Sequence, residues 1–510
     1  MNESVESSGR GMRWLSGLER LGNRLPSPAL LFLWLCLALM LISALCAGLG
    51  LQARLPGQDE TIAARSLLSG EGLRWILTHT VDNFTGFAPV GPVLVAMLGL
   101  GVAEHSGLLR VLLERLVMRT PRALLTWMVV FAGILSNIAL DAGYVVLIPL
   151  AGMLFAAAGR PPLAGIAAAF AGVSAGYSAN LLLGPVDAIL AGISTEAVAL
   201  VASEYEVGIA GNYYFTAAST LLLSLVGAWV TERWVLPHLA AEQSLDKVHR
   251  ESFAEFSRAD RLGLWAVAGW TLVFAALLLW ATLPEWGLLR YPEDPAVLNS
   301  ALIQGIIVLI AFYAAVAGWV FGRVSGRFGR GGRELVGAME STMGTMAGYL
   351  VLMFFAAQFV NYFAWSQLGT LLAVAGAEGL RGLALPSSLL LVVFVFVAAF
   401  INLFVGSASA KWGLLAPVFV PMLFLLGISP EATQVAYRIG DSSTNIITPL
   451  MPYFGVVVAF AQRYRDNLGI GTLIAMMLPY SIAFLFSWSA LLLLWFMLGW
   501  PLGPGAGMAP

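Results

Sequence analysis

Long apolar runs separated by short arginine-rich stretches set the pattern of this chain. Crossing about 30 Å of hydrocarbon takes roughly 20 apolar residues in helical form. Residues 29–51 meet that length, and comparable runs occupy 213–236, 262–283, 297–321, 387–404 and 471–498. The run at 29–51 starts late for a signal peptide and lacks an A-x-A-like cleavage site, so it reads as a retained first helix. Two further regions, 123–202 and 385–461, are apolar but repeatedly interrupted. The interruptions in the first are Ser136-Asn137, Asp141-Ala-Gly143, Gly159-Arg-Pro-Pro162 and Gly184-Pro-Val-Asp187. Those in the second are Gly406-Ser-Ala-Ser409, Gly427-Ile-Ser-Pro430 and Gly440-Asp-Ser-Ser-Thr-Asn445. Backbone freed from a helix inside lipid costs several kcal/mol per unsatisfied group, so such breaks survive only where protein or a water-filled cavity covers them.

Arginine placement orients the runs, because cytoplasmic loops carry the excess of basic residues. Arg10, Arg13, Arg20 and Arg24 place the N-terminus inside. Arg110, Arg115, Arg119 and Arg122 mark one cytoplasmic loop; Arg233, Lys247, Arg250, Arg258 and Arg261 mark a second, with the acidic interleaving of an amphipathic linker. Arg323, Arg327, Arg330 and Arg333 mark a third, and Arg463 with Arg465 a fourth. The segments 52–85, 203–212 and 284–296, and the uncharged tail after Trp500, read as outside. The expected division is a cytoplasmic segment 1–28, a first transmembrane helix 29–51, a first repeat 87–202, central helices and linker 213–337, a second repeat 338–461 and a last helix 471–499.

Composition excludes the soluble alternative that 510 residues would otherwise suggest. Hydrophobic residues make up 59% and charged residues 11%, against about 25% charged in soluble domains. Too few charges remain to cover a water-facing surface, and mean hydropathy is +0.84. A net charge of −2 gives no reason to expect nucleic acid. Cys36 and Cys46 lie about 15 Å apart along one helix, beyond disulfide reach. His79, His105, His238 and His249 are scattered and suggest no metal cluster.

The two interrupted regions match each other. At a constant offset of 268 residues, Leu147 falls on Leu415, Pro149 on Pro417, Gly159 on Gly427, Pro162 on Pro430, Gly172 on Gly440 and Ser174 on Ser442. At an offset of 265, Asn137 falls on Asn402 and Asn180 on Asn445. The arginine map gives the repeats opposite orientations. An all-α polytopic membrane protein with inverted-topology repeats and interrupted helices is the architecture of many secondary transporters, in which one mid-membrane site opens to either side.

Buried charges and amides in such repeats are costly and point to function where they face a cavity. The first repeat offers Asn137, Asp141, Asn180 and Asp187; the second offers Asn402, Ser407, Ser409, Lys411, Trp412, Arg438, Asp441, Asn445 and Thr448. Half-helix ends and hard oxygens suit sodium, and Asn402, Asp441 and Asn137 form a possible sodium site. Arg438 and Asp441, three apart, share a helical face. They are open to two readings: a buried ion pair, or a substrate-carboxylate partner (Arg438) beside a group that titrates or binds the coupling ion (Asp441). Trp412 offers a ring face or an interfacial anchor, and Lys411 is expected to snorkel. Pro430 and Pro449 shape backbone where half-helices start.

Two motifs mislead. Gly172-Val-Ser-Ala-Gly176 fits the G-x-S-x-G of hydrolases but lacks the strand–turn–helix setting, and close helix packing explains it better. Arg438-Ile-Gly-Asp441 faintly resembles the GxGD of intramembrane aspartyl proteases, but Arg438 stands where that motif has glycine. No Walker A pattern is present, so ATP-driven transport on this chain is unsupported.

The longest motifs are Ser136-Asn-Ile-Ala-Leu-Asp-Ala-Gly-Tyr144, Ala179-Asn-Leu-Leu-Leu-Gly-Pro-Val-Asp187, Gly406-Ser-Ala-Ser-Ala-Lys-Trp412 and Tyr437-Arg-Ile-Gly-Asp-Ser-Ser-Thr-Asn-Ile-Ile-Thr-Pro449. In these, and over nearly its whole length, the chain resembles the AbgT family of p-aminobenzoyl-glutamate transporters, some of whose members export sulfonamide antimetabolites. The resemblance implies about nine transmembrane helices plus two re-entrant helical hairpins, a bowl-shaped homodimer, a bacterial inner-membrane location and a non-enzymatic function without cofactors. It implies functional positions at Asp187, Ser409, Trp412, Pro430, Arg438, Asp441 and Pro449; Asn137, Asn180, Asn402 and Asn445 come from the repeat alone. The expected cargo is an aryl carboxylate, with its ring on Trp412 and its carboxylates on Arg438. The coupling ion is sodium or a proton.

Overall fold

The computed structural model describes residues 28–54, 61–118, 120–139, 143–241, 257–284, 286–291, 300–329, 331–383, 385–448, 450–451, 453–465 and 468–510. Asp141, Pro449 and residues 242–256 of the expected linker lie outside the described residues. The first half carries α1 (Pro28–Gly48), α2 (Gly70–Thr85), α3 (Val90–His105), α4 (Leu108–Met118), α5 (Leu125–Leu135), α6 (Ile148–Ala157), α7 (Pro162–Phe170), α8 (Pro185–Val198) and α9 (Tyr213–Val230). The second carries α10 (Arg258–Thr282), α11 (Ile306–Val324), α12 (Arg333–Thr345), α13 (Ala347–Trp365), α14 (Leu368–Gly382) and α15 (Ser387–Asn402). It continues with α16 (Ala408–Phe424), α17 (Pro430–Thr444), α18 (Phe454–Gln462) and α19 (Ile470–Leu498). A two-stranded antiparallel ribbon, β1 (Gln52–Arg54) and β2 (Thr61–Ala63), caps the α1–α2 connection and was not expected from the pattern.

Among the described residues, seven helical stretches are long and apolar enough to cross a bilayer. Five of them, Ala29–Gly48, Tyr213–Leu239, Arg258–Thr282, Ile306–Val324 and Ile470–Leu498, fall on the uninterrupted runs. Gly70–His105 and Ala347–Trp365 do not, because polar side chains break their apolar pattern. Those side chains satisfy one another: Asn83 donates to Gln358 (3.0 Å), and Gln358 donates to the carbonyl of Thr80 (2.9 Å).

The interrupted regions form two hairpins, α6–α7 and α16–α17, whose matched positions do the same work. Gly159 and Gly427 turn the chain at φ +73° and +80°, where side chains with a Cβ are disfavoured. Pro162 and Pro430 then start α7 and α17, where the missing N–H costs nothing. Gly172 and Gly440 each press on a neighbouring helix: a Cβ would lie 2.3 Å from the carbonyl oxygen of Val130 on α5 and of Val395 on α15 respectively. Gly440→Ala and Gly172→Ala are therefore expected to destabilise the fold by about 1–3 kcal/mol each. Gly455→Ala, with open space around it, serves as control. Melting of detergent-purified protein checks this, and Gly440→Ala unfolding together with wild type would mean that the close α15–α17 approach is wrong.

Helix α9 shows that the hairpins are inverted. Beyond Val230 it continues through a π-turn (Thr231–Val235), where Glu232 accepts from Arg160 at the tip of the first hairpin (2.6 Å). Just before its other end, Asn212 donates to Gln434 near the start of α17. The tip of the second hairpin is further held by the C-terminal tail, Ser429 N–H donating to the Met508 carbonyl (2.9 Å) and its hydroxyl to that of Gly507 (2.7 Å). The same tail meets the start of α9, where Tyr214 N–H donates to the Leu502 carbonyl (2.9 Å). The two hairpin tips thus sit at opposite ends of one membrane-crossing helix.

Candidate functional site

Helix α17 reads Pro-Glu-Ala-Thr-Gln-Val-Ala-Tyr-Arg-Ile-Gly-Asp-Ser-Ser-Thr, a sequence too polar to face lipid, and every one of its residues is buried in protein. Each of its polar side chains finds a protein partner, as burial in a low-dielectric interior demands, although the Nε of Arg438 and one oxygen of Asp441 are buried without one. Near its start, Tyr205 donates to Glu431 (3.0 Å), and Gln434 donates to Ser194 on α8 (3.1 Å). One turn on, Tyr437 donates to the Ala408 carbonyl (2.6 Å) and to Asp441 (3.2 Å). At its end, the N–H of Ser178 donates to Ser442 (3.2 Å), and Asn445 donates to the Ser174 carbonyl (3.3 Å). Ser174 and Ser442 are matched positions of the repeats, so the far ends of the two hairpins meet.

The charges pair differently from either reading of Arg438 and Asp441. Arg438 reaches across to Asp187 of the first repeat (2.8 Å), the two side chains being 3% and 13% exposed. Asp187 lies in the first turn of α8, after Gly184-Pro185, and its other oxygen accepts the N–H of Gly184 (2.8 Å). The positive end of the helix favours a carboxylate there. Asp441 pairs instead with Lys411 (2.5 Å), at 1% and 0% exposure. Lys411 does not snorkel: it sits in the first turn of α16, enclosed by α15 and α17, and its ammonium also donates to the side-chain oxygen of Asn402.

Asn402 ends α15, and its amide nitrogen faces the Asp441 carbonyl (2.7 Å), Thr444 (2.8 Å) and Asn445 (2.9 Å). Asn137 stands apart from this network: its amide donates to the Ile134 carbonyl (3.1 Å), which also accepts from Asn180 (3.3 Å). Among the described residues no hydrogen bond joins Asn137 to Asn402 or Asp441. The expected triad of sodium oxygens is therefore not assembled, and the ammonium of Lys411 stands between the two members that do meet.

A cavity of about 250 Å³ opens where the repeats join. Val186, Ile189 and Leu190 of α8 form one wall, and Gly406, Ser407, Ala408 and Ser409 at the start of α16 form another. Tyr144, Tyr177 and Tyr453 supply rings, Asn445 and Met451 close it, and Tyr144 stacks on Tyr453 at 4.5 Å. Ser409 and Asn445 are thus at the cavity, whereas Trp412 is wholly buried behind it. The Trp412 indole N–H donates to the Leu190 carbonyl and to Ser194 (3.1 Å each), and its ring stacks on Tyr437 at 4.5 Å. Pro430 shapes the start of α17 and Thr448 donates to the Leu403 carbonyl (3.2 Å). Sequence reasoning missed the tyrosines. Tyr144 stands inside a quoted motif, but a tyrosine in an apolar run carries no sign of whether it faces a cavity.

A cavity lined by tyrosines, serines and an asparagine among apolar side chains, at the junction of two inverted, broken-helix repeats inside an all-helical polytopic protein, defines a membrane transporter. The chain belongs to the AbgT putative transporter family, whose model matches residues 13–509. It is 36% identical over 502 residues to the p-aminobenzoyl-glutamate transport protein of Escherichia coli (strain K12), covering 98% of each chain. Two solved transporters share the fold. The Alcanivorax borkumensis YdaH transporter superposes with a TM-score of 0.90 at 54% identity, covering 94% of this chain and all of that one. Neisseria gonorrhoeae MtrF, described within a class of antimetabolite efflux pumps, superposes with a TM-score of 0.88 at 46% identity, covering 97% of this chain and 100% of its own.

Proposed function

We propose that the protein is an ion-coupled secondary transporter that moves p-aminobenzoyl-glutamate or related aryl carboxylates across the bacterial inner membrane by alternating access. The N-terminus lies in the cytoplasm and the C-terminus in the periplasm, and the working unit is a homodimer. The observation that carries the reading is the cavity itself, walled by both repeats and rimmed by tyrosine rings suited to an aryl group. Arg438, a cation suited to a carboxylate, stands on the buried helix α17 and joins the repeats through Asp187. Identity to the E. coli p-aminobenzoyl-glutamate transport protein supports the cargo class. The arrangement does not suit aspartyl proteolysis, which needs two carboxylates sharing a proton; Asp187 and Asp441 each face a separate base.

Efflux of sulfonamide-type antimetabolites is the second reading, favoured by the likeness to MtrF. Both cargo types present an aniline ring to the same cavity, and direction follows from the gradients.

Purified protein in liposomes tests this. Flux of labelled p-aminobenzoyl-glutamate is expected to rise when either a sodium or a pH gradient is imposed separately, with the other ion clamped. Labelled sulfonamide run in parallel assigns the cargo preference. Flux no faster than protein-free liposomes under every gradient, for both compounds, would refute the transporter reading.

A further inference from the structure

The Asn402–Asp441 pair carries an unexpected occupant. Two side-chain oxygens, one from Asn402 and one from Asp441, converge on a single point between α15 and α17. Asn402 has its amide nitrogen committed to the Asp441 carbonyl, Thr444 and Asn445, which fixes the flip of the amide and aims its oxygen at Lys411. Asp441 is held by Tyr437 on the oxygen that meets Lys411, while its other oxygen is buried without a partner. The side chain of Lys411 is wholly enclosed, so its charge has no route to water in this conformation.

We infer that the Lys411 ammonium is the resident cation of this site. It takes the position that sodium would occupy between Asn402 and Asp441, and it thereby makes the pair closed to sodium while Lys411 is in place. Lys411 is then a specificity residue for the coupling ion. An ammonium is a compact point charge on a flexible stem, so it substitutes for a small cation without the planar demands of a guanidinium. The use of this device in transport rests on the ion-coupled reading above; its occupancy of the site does not.

The test is the melting of purified, substrate-free protein in sodium, potassium or N-methylglucamine chloride at equal ionic strength. Wild type is expected to melt alike in all three. Lys411→Met removes the charge, frees the Asn402 oxygen and leaves Asp441 with Tyr437 as its side-chain partner, and it should gain a saturable, sodium-selective rise of a few degrees. The double variant Lys411→Met/Asp441→Asn should lose that rise. Where Lys411→Met cannot be purified without sodium, its yield should recover in sodium but not in N-methylglucamine. Three results would overturn the inference: an Asp441-dependent sodium shift in wild type, no sodium shift in a stable Lys411→Met, or a Lys411→Met that sodium cannot recover. None of these readings requires transport, so they fail or stand independently of the liposome experiment.

Discussion

Asp441→Asn is expected to be among the most damaging single substitutions in the chain, costing about 3–5 kcal/mol. Breaking a buried ion pair by removing one partner leaves an uncompensated charge in low dielectric. Among the described residues, Lys411, at 0% exposure, pairs with no carboxylate other than Asp441. Its remaining partner, Asn402, is neutral. By the same argument the pair itself contributes little net stability, because both ions were taken out of water to form it. The double variant Lys411→Met/Asp441→Asn, which places apolar and neutral groups of similar size in the same space, should therefore recover most of the loss. Thermal melts of the single and double variants form the cycle. A double variant as unstable as Asp441→Asn would show that Lys411 and Asp441 do not neutralise each other.

The contrast between what the residues disclosed and what they hid follows from physics. Gly159 with Gly427 and Pro162 with Pro430 were legible because a tight turn and a helix start favour those residue types whatever surrounds them, and Gly172 with Gly440 because two helices that touch need a position without a Cβ. Their repetition in register carried the architecture, and the positive φ of both hairpin glycines bears it out. Pairing was not legible. Arg438 and Asp441 share a helix face, yet the nearest opposite charge to each lies on another element, Asp187 on α8 and Lys411 on α16. Sequence spacing orders side chains along one helix and says nothing about which neighbouring helix faces them. Lys411 illustrates the cost: near a Gly-Ser-rich break a lysine looks free to reach water, and only the enclosure by α15 and α17 removes that option. The spans at 70–105 and 347–365 were obscured for a related reason, since Gln358 and Asn83 satisfy each other inside the fold but dilute the apolar signal outside it.

Arg438→Ala is expected to abolish discrimination for a carboxylate cargo. The guanidinium spends one nitrogen on Asp187 and keeps its Nε buried without a partner. Five donors in a planar fork can serve two carboxylates at once, so Asp187 holds the group in place while the second edge, enclosed in this conformation, meets the cargo once the site opens. A hydrogen bond to a charged group contributes about 1.5–3 kcal/mol, which corresponds to a preference of roughly 10- to 100-fold for p-aminobenzoyl-glutamate over its diamide. Transport assays with the two compounds as competitors should show that preference in wild type and near-equal uptake in Arg438→Ala. Arg438→Lys should restore charge but only part of the preference, because an ammonium cannot span two carboxylates as a fork does. The bridge also ties α17 to α8 across the repeats, so overall rate is expected to fall in every Arg438 variant. The ratio between the two cargoes is therefore the informative quantity. A variant that transports slowly but still prefers the dicarboxylate would confine Arg438 to bracing Asp187 and would move the carboxylate contact to the hydroxyls of Ser407 and Ser409 at the cavity wall.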